Sequence, residues 1–314
     1  MSVPAANGFP QMGNNSATGV GSIPIKFASK TIMQYYASSH LAACCNTDYE
    51  GEIKAQGDTV KIRSVPRITT SKHSKGANLG NHEIPVLGTT DLLIDQAQKY
   101  NFLVDAIDEK QHDVVLSDRF TEAAGLDMRE AIEGDALSKL VLTAHANNQG
   151  ATAGKKSGAY NLGATGAAVA VTKATVIEFI TSLRAVLAEQ NADHGTIWVL
   201  IPMWMRWLLV NSDLKNSSLT GDGKSILRNG QIGEIDGMKI LASNLMPNYA
   251  TDTNSPWDVL CGNMEAITWA AQMTDNRAIQ DKDYFGTFYQ GLYVYGYKTV
   301  RPEALVRGYA YKGT

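Results

Sequence analysis

The chain has 314 residues and a formal net charge of −3, with 44% hydrophobic and 19% charged residues. Such a length can bury a sizeable core in one domain or two, while the near-neutral charge excludes the bulk attraction to phosphates that a sequence-independent DNA-binding protein needs. The three cysteines, Cys44, Cys45 and Cys261, show no regular spacing, so the sequence predicts reduced thiols and no disulfide scaffold.

Residues 1–50 predict an N-terminal arm followed by a short helix. Gly, Asn, Ser and Ala dominate the first 22 residues, which is typical of a flexible or partner-bound segment and not of a secretion signal. Apolar residues then recur at helical spacing from residue 25 to about residue 40. The longest apolar run of the chain, at 197–205, is far shorter than a bilayer span, so we expect no membrane association.

Residues 51–104 predict an extended β-arm. Alternating apolar residues predict one strand from Ile53 to Ile62, around a turn at Gly57-Asp58, and a second from Leu92 to Val104. The connection between them has no aromatic residue and no regular period, and connections this long are usually functional or disordered. Two strands are only marginally stable alone in water. With nothing in its own chain to pack against, this arm is predicted to lie on another copy of the protein.

Residues 105–148 predict a very long helix. One apolar stripe continues from Val115 to Ala144, and a helix that begins near Asp108 and ends near residue 147 would span about 60 Å. Gly125 and Gly134 each cost about 1 kcal/mol relative to Ala and allow a bend or a break. A helix of this length is typical of the backbone of an extended subunit.

The rest of the chain completes an α+β pattern. Residues 149–171 are rich in Gly and Ala and predict a surface excursion or a domain boundary. Residues 172–275 predict a compact segment with a capping box at Thr175 and Glu178, a buried strand at 196–201 and a hairpin that turns at Asp236-Gly237. Residues 276–314 contain a string of β-forming residues.

Four blocks, at 46–53, 104–108, 227–237 with Ser243-Asn244, and 291–305, together resemble the major capsid protein of tailed double-stranded DNA bacteriophages, in the order of that family. The resemblance implies the Hong Kong 97-type fold. Residues 51–104 would be its extended loop, 105–148 its spine helix and 172–275 its axial domain. Residues 276–314 would be C-terminal strands of the peripheral domain that contains the spine helix. The resemblance assigns no role to 149–171.

The resemblance implies a coat protein and no enzymatic activity. Copies would form the hexamers and pentamers of an icosahedral virion head, which is assembled in the host cytoplasm. This head would enclose double-stranded DNA without specific binding. A separate scaffolding protein and a portal are the implied partners, a decoration protein is a further candidate, and no cofactor is implied. Another multimeric phage structural protein, such as a tail tube, is the alternative reading, and a nucleotide hydrolase built on 172–275 is a weaker one.

Charge patterning supports assembly independently of the resemblance. Residues 61–75 contain five basic residues and no acid, whereas 105–135 contain ten acids against three bases. Each exposed ion pair is worth only about 0–1 kcal/mol, so such pairs set register more than affinity. The alternative is that the basic and the acidic stretch are both solvated and never contact each other. The predicted inter-subunit contact residues are Arg63, Arg67, Lys72, Lys75, Asp118, Glu122, Glu130 and Glu133.

Motifs that could carry chemistry are incomplete. Residues 218–225 lack the first glycine of a phosphate-binding loop, and 150–155 have one residue too few between their glycines. His40, Cys44 and Cys45 fall one ligand short of a structural zinc site. Some relatives crosslink a loop lysine to a neighbour's asparagine; Lys72 or Lys75 could supply the amine, but no asparagine is identifiable. The sequence predicts no catalytic, cofactor or metal site and no crosslink.

Overall fold

The structure is a computed structural model that describes residues 37, 39–48, 59–76, 78, 80, 82–105, 116–212, 233–280 and 285–313. Its helices are α1 (Leu41–Cys44), α2 (Leu116–Leu140), α3 (Val176–Glu189) and α4 (Met203–Val210). Its strands are β1 (Thr59–Ser64), β2 (Gly88–Leu93), β3 (Gln96–Asp105), β4 (Val169–Val171), β5 (Ile197–Pro202), β6 (Glu234–Ile235), β7 (Met238–Ser243), β8 (Trp257–Asn263), β9 (Ile267–Gln280), β10 (Gly286–Thr299) and β11 (Leu305–Lys312). Most of the predicted helix at 25–40 lies outside the described residues.

The larger core is built on a six-stranded sheet with the order β4-β11-β8-β5-β7-β6. Strand β5 pairs antiparallel with β8 and parallel with β7, and all six of its residues are buried. Helix α3 covers the sheet with Val176, Ile180, Leu183 and Leu187, which recur at helical spacing and are fully buried. Burying each such side chain contributes roughly 1.5–3 kcal/mol, and the same core includes Leu137 and Leu140 of α2.

Two features of the six-stranded unit were predicted from local sequence, a hairpin turn and a capping box. The first prediction is confirmed and the second is wrong. Asp236 and Gly237 have φ values of 51° and 66°, as a type I′ turn requires, which confirms the predicted hairpin between β6 and β7. The capping box at Thr175 is wrong: the Thr175 hydroxyl accepts a hydrogen bond from the Thr172 N–H at 3.0 Å and makes no bond to the first turn of α3.

The Gly- and Ala-rich segment, predicted as a surface excursion or a domain boundary, is mostly exposed but is attached to the six-stranded unit. Leu162 is fully buried, and its carbonyl oxygen accepts a hydrogen bond from the Tyr309 N–H at 2.7 Å. Strand β4 then pairs parallel with β11 at the edge of the sheet. Gly163 has φ +83°, and a Cβ there would collide with the carbonyl of Tyr309. Glycine is therefore required where the segment crosses the sheet edge.

A second, three-stranded sheet has the order β3-β10-β9, with antiparallel pairing on both sides of β10. Aromatic rings stack along it, with centroid distances of 5.4 Å between Phe102 and Tyr289 and 5.0 Å between Trp269 and Tyr295.

The strands of this region differ from the predicted segment boundaries in two places. Strand β9 begins at Ile267, inside the predicted axial segment. After β10 the chain leaves this sheet through a 3-10 turn at Pro302–Ala304. Strand β11 then lies between β4 and β8 in the six-stranded sheet. Two sheets with helices on them confirm the α+β class.

Helix α2 lies within the predicted spine. Its described part contains 25 residues, which corresponds to about 37 Å, and it ends at Leu140 instead of near residue 147. Its predicted beginning near Asp108 lies outside the described residues. The helix runs without interruption through Gly125 and Gly134. Its C-terminal half packs on the core through Ile132, Ala136, Leu137 and Leu140, whereas Phe120 in its N-terminal half is 47% exposed. Of the helices described, none is long and apolar enough to cross a membrane.

Candidate inter-subunit surfaces

The base of the arm is anchored within its own chain. Strand β1 pairs antiparallel with β2, from Thr59 opposite Leu93 to Ser64 opposite Gly88. Ile62, Leu92 and Ile94 are buried together with Ala270 and Val294, which belong to the three-stranded sheet. The prediction that the arm has nothing in its own chain to pack against is therefore wrong for its base.

The predicted second strand of the arm is two strands in two different sheets. Strand β2 ends at Leu93 and pairs with β1, whereas β3 begins at Gln96 and pairs with β10. Only Ile94 and Asp95 lie between them. Leu92 and Ile94 are in phase with Tyr100, Phe102 and Val104, so the spacing fits one strand although Gln96 and Gln98 interrupt the apolar residues.

The arm tip, defined as residues 65–87, presents apolar side chains to solvent. The described part of this tip contains no helix or strand. A hydrogen bond of 3.0 Å from the Thr69 N–H to the Glu83 carboxylate crosses it. Single exposed apolar residues are ordinary, but a group of them in one segment marks an interaction surface. Five large apolar side chains here are between 52% and 82% exposed: Val65, Ile68, Ile84, Val86 and Leu87.

The same segment carries cations without partners. The predicted contact residues Arg63, Arg67, Lys72 and Lys75 are all exposed. Within the described part of the chain, none of the four forms an ion pair. The arm tip and the adjoining end of β1 thus combine apolar surface with unneutralised positive charge.

The acidic residues predicted on the spine helix divide into exposed and occupied groups. Asp118 and Glu122 are exposed, and Glu122 lies 3.5 Å from Arg119 of its own helix. Glu130 is half-buried and accepts a hydrogen bond from the Ala37 N–H at 3.2 Å. Only the N-terminal half of α2 therefore offers free acidic surface together with the exposed Phe120 ring.

Glu133 is the one predicted contact residue that the structure removes from the surface. Its side chain is buried, with an exposed fraction of 1%. Its carboxylate accepts hydrogen bonds from the His40 N–H at 2.9 Å, the Leu41 N–H at 3.3 Å and the Ser39 hydroxyl. The side chain ties the segment before α1 to the spine helix. Its position on the stripe of Leu137 and Leu140, four and seven residues later, was the signal that should have identified it as buried.

A groove lies beside this anchor. It has a volume of about 580 Å³ and opens between α1, helix α2 and the three-stranded sheet. Its walls are mostly apolar, and Arg129 and Glu133 stand among them. The apolar lining residues are Leu41, Ala42, Met128, Ile132, Trp269 and Tyr293. This groove continues the exposed face of α2 toward the sheet.

The residues that suggested chemistry are engaged in local contacts. His40 Nε2 lies 3.1 Å from the Ala242 carbonyl, and burial raises the pKa of the Cys44 thiol and brings that of Cys45 to about 12. The N–H groups of Lys156 and Ser157, after the incomplete loop at 150–155, bind the Glu189 carboxylate at 2.7 and 3.0 Å. The described residues contain no cluster of three or more metal-ligating side chains. The segment 218–225 lies outside the described residues.

Comparison with known proteins gives a family and a fold. Residues 94–308 match a family model described as "Phage capsid protein". No curated protein sequence matches the chain. A structure from Mycobacterium phage Che8 is similar, with a TM-score of 0.73 and 24% identity over 91% of this chain and 96% of that chain.

Two further structures show the same fold at lower identity. The capsid structure of the cyanophage P-SCSP1u has a TM-score of 0.68 and 16% identity over 98% of this chain and 100% of that chain. The capsid of the native GTA particle, computed with C5 symmetry, has a TM-score of 0.67 and 16% identity over 94% and 98%. Because the family model covers more than half of the chain, the protein belongs to the phage capsid protein family, with the Hong Kong 97-type fold that its four sequence blocks predicted.

Proposed function

We propose that copies of this capsid protein join into rings of five and six that close an icosahedral head, with the arm of each copy clamping the next. The arm tip and the adjoining end of β1 carry this proposal. A free subunit would leave five large apolar side chains in water there, together with four exposed cations that form no ion pair with any described residue. The similarity to a GTA capsid computed with C5 symmetry supports the rings of five.

The receiving surface is the exposed face of α2 and the adjoining groove on a neighbouring copy. Asp118, Glu122 and the Phe120 ring offer the complement of the basic and apolar arm tip, and the groove offers further apolar area. This contact joins two different surfaces head to tail, and such contacts generate closed rings when the rotation between copies permits it. Glu130 and Glu133 contribute indirectly, because they hold the N-terminal segment against α2.

The two sheets take different places in this arrangement. The three-stranded sheet and α2 form the periphery of the subunit, where the arm departs and the neighbour's arm arrives. The six-stranded unit would extend toward the centre of each ring. It includes residues 149–171 and β11 in addition to the predicted segment 172–275.

The remaining partners follow from the family and the charge. A net charge of −3 favours enclosure of double-stranded DNA without tight adhesion. A scaffolding protein and a portal would direct assembly in the host cytoplasm, and a decoration protein would bind the finished virion. The protein would act by shape and contact, without catalysis. A tail tube is the competing structural role, and negative-stain microscopy separates the two, because tubes grow helically whereas a coat protein gives closed polyhedra.

Charge reversal on the arm tests whether the arm docks on the neighbouring copy. We expect the variant Arg67→Glu/Lys72→Glu/Lys75→Glu to fold normally, because all three side chains are exposed, but to give few particles at low ionic strength. The measurements are circular dichroism for folding and sedimentation with negative-stain microscopy for assembly.

The matched control reverses three exposed lysines away from the arm, in the variant Lys155→Glu/Lys156→Glu/Lys239→Glu. It should assemble as the wild type does. Normal particle yield from the arm variant at low salt, or an equal loss in both variants, would contradict docking of the basic arm on the acidic helix.

A further inference from the structure

A second charged surface lies on the six-stranded unit, where an exposed tryptophan is flanked by two lysines. Trp207 of α4 is 49% exposed. The ammonium groups of Lys173 and Lys312 lie 5.2 and 4.8 Å from the centre of its ring. Lys173 precedes α3, and Lys312 is the last residue of β11. We call these three residues the lysine–tryptophan clamp.

The fold fixes the clamp through three elements of the core. Strands β4 and β11 run parallel, with Lys312 opposite Val171, so the chain leaves β4 toward Lys173 at the same end of the sheet. Helix α4 buries Met205 and Leu208 against the core, which turns Trp207 outward. The backbone positions of the three residues are therefore set by β4, β11 and α4, with Lys173 in the short turn after β4.

The positive charge of the clamp is not neutralised by the described part of the chain. There, neither Lys173 nor Lys312 forms an ion pair with a carboxylate. Cation–π attraction to the indole ring positions the two ammonium groups but leaves both charges in place. An anionic ligand would find two charge-assisted donors already oriented toward one site.

The shape of the site narrows the class of anion. The clamp borders a cleft of about 460 Å³, which is in the range of pockets that accept small ligands or single side chains. Thr172, Ala174, Leu208 and Gly313 complete its walls, so it offers apolar surface beside the two charges. A glutamate side chain has this combination of methylene groups and a carboxylate.

Nucleic acid fits the same observations less well. Binding to a duplex relies on many phosphate contacts, whereas this site offers two cations. A nucleobase would have to displace a lysine from the Trp207 ring in order to stack on it. We propose that the lysine–tryptophan clamp binds an acidic peptide segment of a partner protein through its carboxylate side chains. None of the clamp residues belongs to the arm or to α2, so this site is separate from the proposed assembly contact.

The test uses the purified full-length protein and a hexaglutamate peptide at low ionic strength. We expect saturable binding by isothermal titration calorimetry, with a change in tryptophan fluorescence. The variant Lys173→Gln/Lys312→Gln should weaken binding by about tenfold or more, since it removes both charge-assisted donors. The matched control Lys155→Gln/Lys156→Gln removes two exposed lysines from the same unit and should bind as the wild type does.

Several outcomes would overturn the proposal. They are no saturable binding of hexaglutamate to the wild type, equal weakening in both double variants, or tighter binding of a duplex oligonucleotide that depends on the same two lysines. Circular dichroism establishes that each variant is folded. The two single Lys→Gln variants provide the same comparison if the double variant does not fold.

Discussion

The six-stranded unit and the arm tip show two opposite ways in which one chain treats its apolar residues. In strand β5 of the six-stranded unit every side chain is buried, whereas five large apolar side chains of the arm tip are mostly exposed. Because burial of apolar area is the main favourable term in folding, the first region is stabilised within the subunit, whereas under the proposed docking the second would be stabilised by a neighbouring copy. The comparison separates a segment that stabilises the subunit from one whose apolar side chains stay exposed on it.

The largest expected effect comes from making the same substitution in both regions. We expect Leu200→Ala, in the fully buried β5, to lower the free energy of unfolding by about 2–5 kcal/mol, because it leaves a cavity in a packed core. Leu87→Ala, at the exposed arm tip, should change it by about 0.5 kcal/mol or less. Urea denaturation of unassembled subunits measures both. Similar losses in the two variants would show that the arm tip is buried in the free subunit.

A smaller effect is expected at Glu133, which ties the segment before α1 to helix α2. Glu133→Ala would leave the N–H groups of His40 and Leu41 without their acceptor and should cost about 1–3 kcal/mol. Amide hydrogen exchange at these two residues should become faster. Glu122→Ala, on the exposed part of the same helix, is the control and should leave both stability and exchange unchanged. Unchanged exchange in Glu133→Ala would mean that the N-terminal segment is held by other contacts.

The smallest effect is a pH dependence at the edge of the six-stranded unit. The Tyr309 hydroxyl and the Gly166 N–H donate to Asp252 at 2.8 and 3.1 Å, and these hydrogen bonds, the first above all, lower the pKa of its carboxyl. A lowered pKa in the folded state contributes stability at pH above the ordinary carboxyl value of about 4, and this contribution is lost as the pH falls through the folded pKa.

We therefore expect Asp252→Asn to reduce stability at neutral pH and to approach the wild type on acidification. Urea midpoints measured across this pH range provide the check. A constant difference between the two proteins at every pH would show that ionisation of Asp252 plays no part in holding residues 163–166 to the sheet.

The sequence predicted well those parts of the fold that depend on neighbours along the chain. The buried strand β5 and the turn at Asp236-Gly237 were identified because apolar runs and Asp-Gly pairs act locally. Which sheet a strand joins depends on distant partners, so the transfer of β11 to the larger sheet and the split between β2 and β3 could not be read from alternation.

The candidate sites show the same difference between features set by neighbours along the chain and features set by distant residues. The arm cations are exposed, and their contact with a neighbouring subunit stays a prediction. Glu133 was assigned to the surface by its charge although its spacing placed it on the apolar stripe. The lysine–tryptophan clamp had no signal in the sequence, since residues 173, 207 and 312 meet only when β4 and β11 pair.

The two-residue junction at Ile94 and Asp95 has a mechanical consequence for an assembled shell. Ile94 is locked among Ala270 and Val294, and the chain passes directly from the arm hairpin into β3 with no slack between them. Under the proposed docking, a neighbour that pulls on the hairpin would transmit the load directly to the three-stranded sheet. The strain would pass through β-structure and would not be absorbed by a flexible linker.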